Sequence, residues 1–409
     1  MTKEKSTVPR LRFPGFTDAW KQRKLGEVAE KISQKNLDRQ YVETFTNSAE
    51  FGIISQRDFF EKNISSLDNI SGYYIVSPDD FVYNPRISNL APVGPIKRNK
   101  LGRVGVMSPL YTIFRFSDIH LDFVEKYFDT TIWHRYMELN GDSGARSDRF
   151  AIKDSVFKGL PIPLPTLPEQ EAIGNFFSDL DQLITLHQRK LDDVKELKKA
   201  LLQKMFPKGN GNDFPELRFP EFTDAWKQRK LGEVLKERNE SRSPSADVPL
   251  VSFTVENGVT PKTERYNREF LVRDEDKKYK FTQLDDIVYN PANLKFGAIA
   301  RNKYGAAVFS PIYVTYGVLS EAHPLFVELI VTSTNFIQRA LRYQEGTVYE
   351  RMAVKSFDLL RSEILLPTLP EQEAIGSFFS DLDQLITLHQ RQLDHLKLLK
   401  KALLQQMFI

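Results

Sequence analysis

The sequence predicts an α+β fold in which two mixed α+β domains are separated by two long helices that pair antiparallel as a coiled coil, with pseudo-twofold symmetry. Three observations predict this fold. Two blocks of sequence each occur twice, one of these blocks has the residue spacing of a coiled-coil helix, and the regions between the blocks contain β-rich runs.

The repeated blocks divide the chain into constant and variable parts. Residues 11–28 return at 217–234 with one change, Gly15 against Glu221. Residues 164–206 return at 366–408 with 37 of 43 positions identical. Two copies of one unit therefore follow each other along the chain.

This repetition predicts the domain boundaries. We expect an N-terminal segment and first variable domain at 1–163, a first helix at 164–206, a linker at 207–216, a second variable domain at 217–365 and a second helix at 366–409.

The variable regions differ in most residues but keep common anchors. DDFVYNP at Asp79–Pro85 matches DDIVYNP at Asp285–Pro291, which indicates one scaffold in both copies. Strands are predicted at Gly72–Val76, Phe81–Tyr83, Leu110–Phe116, Asp286–Tyr289 and Ile312–Tyr316, and single helices at Asp118–Leu139 and Pro324–Arg342.

The longer constant block predicts one continuous helix. Thr166 and Glu169 form a capping-box pattern before it, and Pro207 prevents its extension. Apolar residues at alternating steps of four and three form a coiled-coil seam, and about 40 residues make a rod of roughly 60 Å. The central seam positions are Leu180, Ile184, His187 and Leu191 in the first copy and Leu382, Ile386, His389 and Leu393 in the second.

His187 and His389 each lie near the middle of a helix. An antiparallel pair would bring them together close to the symmetry axis. We interpret them as a polar pair that sets the register, in preference to a metal site or a pH switch, because two histidines are too few to hold a metal.

Composition excludes several classes of protein. The chain has no Cys, which excludes disulfides, thiolate zinc sites and thiol nucleophiles. It has no apolar run long enough to span a membrane and no signal-peptide pattern, so we expect a cytoplasmic protein without membrane partners. The net charge of +3 leaves a nucleic-acid surface to depend on where the charges lie.

Two windows without Asp or Glu predict such a surface. Residues 81–117 and 287–320 lack acidic residues at matched positions, although a solvated face or chance also produces such windows. The candidate DNA contacts are Asn84, Arg86, Lys97, Arg98, Lys100 and Arg103 in the first copy and Asn290, Asn293, Lys295, Arg301 and Lys303 in the second.

A polar loop after each predicted domain helix supplies further candidates. GARSDRF at Gly144–Phe150 aligns with GTVYERM at Gly346–Met352. Arg146, Arg149, Tyr349 and Arg351 are candidate base or phosphate contacts. Arg149 and Arg351 could equally bridge the loop to a neighbouring carboxylate.

The constant blocks, with LPEQ at the start of each long helix and WKQRKLGEV before each variable region, resemble the specificity subunit (HsdS) of Type I restriction-modification systems across the whole chain. The resemblance implies that each variable region is a target recognition domain for half of a split, asymmetric site in double-stranded DNA. It also implies two modification (methyltransferase) subunits docked on the helices and additional restriction subunits. Those partners would use S-adenosylmethionine, ATP and Mg, and this chain would bind no cofactor or metal.

Two other functions compete with this interpretation. Asn84-Pro85 and Asn290-Pro291 partly match the Asn-Pro-Pro-aromatic motif of adenine methyltransferases, but Arg86 and Ala292 replace the second proline, and no glycine-rich cofactor loop is visible. A coiled-coil scaffold without DNA specificity would explain the helices but not the divergence between the two variable regions. We therefore expect a specificity subunit without catalytic residues.

Overall fold

The computed structural model describes residues 8–60, 69–142, 148–208, 213–261, 278–346 and 352–409. Contacts group the chain into two compact units. The first comprises residues 1–189 and 390–409, and the second comprises residues 190–389. The division falls inside both long helices, so each unit contains one variable region and a part of each helix. The predicted boundaries, which treat the helices as separate segments, stay a prediction.

The first unit is built on antiparallel strands. Its strands are β1 (Lys21–Lys24), β2 (Ala29–Ile32), β3 (Phe45–Ser48), β4 (Gly52–Ser55), β5 (Tyr74–Val76), β6 (Phe81–Tyr83), β7 (Ile96–Arg98), β8 (Gly105–Met107), β9 (Thr112–Phe116) and β10 (Pro161–Leu164). Its helices are α1 (Leu25–Val28), α2 (Gln56–Phe60), α3 (Leu121–Phe128), α4 (His134–Asn140), α5 (Asp154–Phe157) and the start of α6 (Leu167–Lys204). The main sheet has the order β2-β9-β6-β7, and β3-β4, β5-β8 and β1-β10 form two-stranded ladders.

The second unit repeats this plan. Its strands are β11 (Lys227–Lys230), β12 (Leu235–Glu237), β13 (Ser241–Arg242), β14 (Val251–Thr254), β15 (Gly258–Pro261), β16 (Tyr279–Thr282), β17 (Ile287–Tyr289), β18 (Ile299–Arg301), β19 (Ala307–Phe309), β20 (Val314–Val318) and β21 (Glu363–Leu366). Its helices are α7 (Pro324–Val331), α8 (Thr334–Ala340), α9 (Ser356–Leu360) and the start of α10 (Leu369–Met407). The main sheet, β12-β20-β17-β18, matches that of the first unit, and the other sheets are β13-β16-β19, β14-β15 and β11-β21.

The two long helices run antiparallel within each unit. In the first unit the ring centroids of Phe177 and Phe408 lie 6.2 Å apart, and Asp181 Oδ1 lies 2.6 Å from Lys400 Nζ. In the second unit, the ring centroids of Phe206 and Phe379 lie 6.4 Å apart, and Lys198 forms an ion pair with Asp383. Residue numbers rise along one helix as they fall along the other, which confirms the predicted antiparallel α+β architecture.

The seam residues are covered as a coiled-coil core requires. Leu180, Leu191 and Leu393 are buried, and Ile184, His187, Leu382, Ile386 and His389 are half-buried. His187 belongs to the first unit and His389 to the second. Their pairing stays a prediction.

The predicted capping box is wrong in one respect. The Glu169 carboxylate does not turn back to the helix start. It accepts hydrogen bonds from the Arg12 guanidinium at 2.6 and 2.7 Å and from Trp20 Nε1 at 3.4 Å. The backbone carbonyl of Thr166 accepts the N–H groups of Glu169 and Gln170. A tertiary ion pair has replaced the local contact.

The prediction of a single helix at Asp118–Leu139 and at Pro324–Arg342 is also wrong, since two short helices stand at each place, α3 and α4 in the first unit and α7 and α8 in the second. In the first, the Thr130 hydroxyl donates to the Tyr127 carbonyl at 2.6 Å where α3 ends. In the second, Ser333 accepts from the Phe336 N–H and caps α8. Hydroxyl side chains favour such end positions because they bond to the local backbone.

The strand at Phe81–Tyr83 is confirmed, but several predicted strands begin later than expected. The Tyr111 N–H donates to the Ser108 carbonyl, and the Tyr313 N–H donates to the Ser310 carbonyl. The repeated Ser-Pro-[Leu/Ile]-Tyr anchors are therefore turns, and β9 and β20 begin after them.

Candidate nucleic-acid interface

The first repeated anchor forms a turn with a buried ion pair. Asp79 has a left-handed backbone with φ of 69°. The next residue, Asp80, is fully buried and accepts hydrogen bonds from the Ser77 N–H at 2.7 Å and from Arg115 at 2.7 and 3.1 Å. The Asp80 carboxylate thus stabilises the fold.

The second copy repeats the turn but takes its arginine, Arg238, from the position after β12. Asp285 has φ of 70°, and the Asp286 carboxylate accepts from the Gln283 N–H at 2.9 Å and from Arg238 at 2.8 and 2.9 Å. Among the residues that the structure describes, no three His, Asp or Glu side chains are grouped to hold a metal.

The asparagines of the Tyr-Asn-Pro anchors use their amides inside the fold. Asn84 Nδ2 donates to the Asn47 carbonyl at 2.8 Å, and its Oδ1 accepts the Arg86 N–H at 3.0 Å. Asn290 Oδ1 accepts the Ala292 N–H at 3.1 Å. Both side chains are also buried, so the predicted DNA role of Asn84 and Asn290 gains no support from their geometry.

Most of the predicted cations in the first unit are paired with carboxylates. The pairs are Lys97 with Asp129, Arg98 with Asp79, Asp122 and Glu125, Lys100 with Glu125, and Arg103 with Glu43. Burial opposes a raised pKa at Arg98, but the Asp79, Asp122 and Glu125 carboxylates raise it. The hydrogen bond that Arg103 donates to the Glu43 carboxylate raises the pKa of Arg103.

The second unit pairs its matching cations in the same way. Arg301 lies 2.6 Å from Asp285 and 2.8 Å from Glu328, and Lys303 lies 2.8 Å from Glu328. These acidic partners lie outside the acid-free windows in the sequence, but the fold places them next to the cations of the windows. The Phe-Val-Glu repeat at Phe123–Glu125 and Phe326–Glu328 is the sequence signal that could have predicted this pairing.

Arg86 and Arg149 are arranged differently. They are partners in an isolated antiparallel bridge, in which the Phe150 N–H donates to the Pro85 carbonyl at 2.7 Å. Arg86 is exposed, and Arg149 is half-buried with its guanidinium 3.9 Å from Asp148. Among the described residues, no carboxylate forms an ion pair with the exposed Arg86 guanidinium, which suits a phosphate contact.

An open cleft of about 780 Å³ lies beside this bridge. Pro85 and Phe150 line it together with the charged residues Lys31, Asp142, Lys153 and Asp154, and Lys31 Nζ lies 2.6 Å from Asp154. The bridge and the cleft together are the candidate interface of the first unit, and we call them the Arg86 surface.

The corresponding part of the second unit follows Pro291. Asn293 and Lys295 are exposed, and Lys295 Nζ lies 4.9 Å from the centroid of the neighbouring Phe296 ring. Lysine, asparagine and an exposed aromatic ring are suited to phosphate and base contacts. Arg146, Tyr349 and Arg351 lie outside the described residues, and their DNA contacts stay predictions.

Each long helix also exposes several leucines, and two of them lie close together near the middle of each helix. Leu183 and Leu186 on α6 are 40% and 47% exposed, and Leu385 and Leu388 on α10 are 37% and 51% exposed. The two pairs occupy equivalent positions in the constant blocks. Exposed apolar residues repeated on two otherwise polar helix faces indicate a binding surface.

Among the described residues, no helix is both long and apolar enough to cross a bilayer.

Comparison with known proteins gives a consistent result. Residues 17–196 match the family described as Type I restriction modification DNA specificity domain. The putative type I restriction enzyme MjaX specificity subunit of Methanocaldococcus jannaschii is 25% identical over 274 residues, which are 62% of this chain and 60% of that protein. The MjaVIII specificity subunit of the same organism is 23% identical over 266 residues, 62% of each chain. The alignments thus span less than two thirds of these relatives.

The fold as a whole also has a counterpart. The crystal structure of a Type I restriction-modification system S subunit from M. genitalium aligns with a TM-score of 0.61 and covers 98% of this chain and 99% of that one. At 13% identity, this similarity concerns the fold alone.

Proposed function

We propose that the chain is a Type I restriction-modification specificity subunit and acts as the non-catalytic DNA reader of such a complex, which the similarity of residues 17–196 to the specificity-domain family supports. Each variable domain reads one half of a split, asymmetric DNA site. The observation that carries this proposal is the contrast between the two units. They share the order of the main sheet and a buried, ion-paired aspartate, Asp80 or Asp286, whereas the exposed residues after the Tyr-Asn-Pro anchors differ.

The difference lies where a reader needs it. Arg86 in the first unit corresponds to Ala292 in the second, so one unit presents a guanidinium where the other presents a methyl group. Phosphate contacts from Arg86, Arg149 and Lys295 would orient the duplex, and neighbouring loop residues would contact base edges. One such domain supplies a few base contacts of about 1–3 kcal/mol each, so two linked domains lengthen the site that can be read.

The long helices would dock the enzymatic partners. Two equivalent leucine pairs, Leu183 with Leu186 and Leu385 with Leu388, suit two copies of one partner. We assign these to two modification subunits, with restriction subunits completing the complex. S-adenosylmethionine, ATP and Mg would bind to those partners, and the complex would act on DNA in the cytoplasm.

Sequencing of methylated DNA tests the function directly. DNA without modification is treated with the complex of this chain and modification subunits, and the methylated bases are mapped. We expect a single motif of two unlike half-sites separated by a fixed number of base pairs. Methylation without such a motif would favour the scaffold alternative, and methylation by the chain alone would favour the methyltransferase alternative.

A further inference from the structure

The start of each long helix holds the variable domain of the same unit through a side-chain amide. Gln170 Oε1 accepts the His120 N–H at 3.1 Å, and its Nε2 donates to the Pro165 carbonyl at 2.9 Å. Gln372 repeats this contact with the His323 N–H at 3.0 Å and the Pro367 carbonyl at 3.1 Å. Both glutamines are buried, so their hydrogen bonds have no competition from water.

One helical turn after Gln170, Gly174 lets α6 and α3 approach each other closely in the first unit. A Cβ atom on Gly174 would lie 2.9 Å from the backbone N of Phe123 in α3 and 2.5 Å from His120 Nδ1. In the second unit, a Cβ on Gly376 would lie 2.7 Å from Leu325 Cβ in α7. Any larger residue would displace the short helix, because backbone atoms cannot move aside as a flexible side chain can.

A third contact binds the N-terminal constant segment to the same place. The Arg12 guanidinium and Trp20 donate to Glu169, and in the second unit Arg218 donates to Glu371 at 2.7 Å through two nitrogens. The hydrogen bond to Glu169 raises the pKa of Arg12 although burial opposes it. The constant segment before each variable region and the helix after it thus meet at one point.

The two variable regions share the residues that contact the start of the long helix. His120 and Phe123 correspond to His323 and Phe326, although most of the surrounding sequence differs. The repeated residues do not pair with any of the candidate DNA contacts. They are retained where each domain touches its long helix.

We propose that Gln170 with Gly174, and Gln372 with Gly376, are positioning residues that set the orientation of each recognition domain on its long helix. The spacing between half-sites at which DNA is read then depends on these residues, although none of them contacts DNA. This inference rests on the proposed function. According to this proposal, the half-site spacing depends on the contact between each long helix and its recognition domain as well as on the length of the helices.

Binding to a series of DNA duplexes tests the proposal. The duplexes carry the two half-sites of the mapped motif at separations that differ by one base pair, and the assembled complex is titrated with each. Alanine favours a helix over glycine, so Gly174→Ala does not weaken α6 itself. We expect Gly174→Ala to lower the affinity at the native separation about tenfold and to move or broaden the optimum. Gly376→Ala should act in the same way.

Asn175→Ala is the matched control, because Asn175 is the exposed neighbour of Gly174. Its binding profile should equal that of the unchanged protein. If Gly174→Ala yields no folded complex, Gln170→Leu applies the same test by removing both amide hydrogen bonds at nearly equal volume.

The outcomes separate the inference from the function. A Gly174→Ala profile that keeps its shape, whether at full or at uniformly reduced affinity, would overturn the positioning role. An unchanged protein that binds equally at all separations would instead overturn the proposed function.

Discussion

A cluster of five charged side chains distinguishes the first unit at the level of single residues. Lys126 is almost fully buried and contacts Asp129 and Asp181, while Lys97 and Lys400 also lie near these carboxylates. Burial alone would lower the pKa of Lys126, but Asp129, Glu125 and Asp181 raise it. The second unit has Leu329 and Thr332 at the positions of Lys126 and Asp129.

The cluster predicts a pH-dependent stability. Burial opposes ionisation of Asp129, but Lys97, Lys126 and Lys400 lower its pKa to about 2. A carboxylate with a lowered folded-state pKa stabilises the protein above its unfolded pKa of about 4 and loses that contribution as the pH falls toward 2. We expect Asp129→Asn to lower the free energy of unfolding by about 2 kcal/mol at pH 7. The difference from the unchanged protein should shrink between pH 5 and pH 2.

Denaturant unfolding at several pH values measures this effect. Thr332→Val in the second unit is the control, and its effect should not depend on pH in that range. A loss of stability in Asp129→Asn that is constant from pH 7 to pH 2 would contradict the assignment.

Pairing with carboxylates also separates the candidate DNA contacts. Arg86 has an exposed side chain, whereas Arg103 is held by both oxygens of Glu43. We expect Arg86→Ala to weaken DNA binding by the assembled complex several-fold and to reduce the salt slope by about 1, because one phosphate contact is lost. Arg103→Ala should change the salt slope little. An equal effect of both substitutions, measured by titration at several salt concentrations, would refute this distinction.

At the level of elements, the constant helices serve two purposes on different faces. Their seam residues pack within the coiled coil, while Leu183 and Leu186 remain exposed on α6. The heptad spacing already places Leu183 and Leu186 outside the seam, and their exposure in the folded chain agrees with it.

The exposed leucines predict the stoichiometry of assembly. Leu183→Ser with Leu186→Ser should leave the melting temperature nearly unchanged, because surface substitutions have small effects. The change should remove one of two bound modification subunits, since burial of a leucine contributes about 1.5–3 kcal/mol. Native mass spectrometry would count the subunits. The same change at Leu385 and Leu388 should remove the other copy.

Gln182→Ser, at an exposed polar position of α6, is the control and should keep both partner subunits. Two bound modification subunits in the doubly substituted Leu183 and Leu186 protein would exclude this surface as a docking site.

The constant strands β1 and β11 hold together the two ends of each variable region. β1 pairs with β10 and β11 pairs with β21, with registers Lys21↔Leu164 and Lys227↔Leu366. Each variable region therefore begins and ends at one ladder built from constant sequence on one side. A ladder of backbone hydrogen bonds tolerates different side chains, so Pro161–Leu164 and Glu363–Leu366 can differ and still pair.

At the level of the whole molecule, this arrangement makes the variable regions exchangeable. We expect replacement of residues 29–163 by the corresponding region of another specificity subunit to change one half-site of the methylated motif and to leave the other intact. Sequencing of methylated DNA would read both halves together. A change in both half-sites would show that the domains do not read independently.

The repeats and the heptads determine much of this protein without coordinates. A duplicated sequence predicts a duplicated scaffold, and an apolar period of seven predicts a coiled-coil helix, because both depend on order along the chain. The α+β class and the two long helices followed from these patterns.

The charged surface depended on the tertiary structure. The acid-free windows supplied the cations, but Asp79, Glu43, Glu125 and Glu328 reach them from other segments and leave Arg86 exposed. The Glu169 carboxylate likewise contacts Arg12, 157 positions away, instead of its own helix start. The interaction between two charges depends on their distance in space and not on their separation in the sequence. The folded structure therefore determines which charges are neutralised and which face solvent.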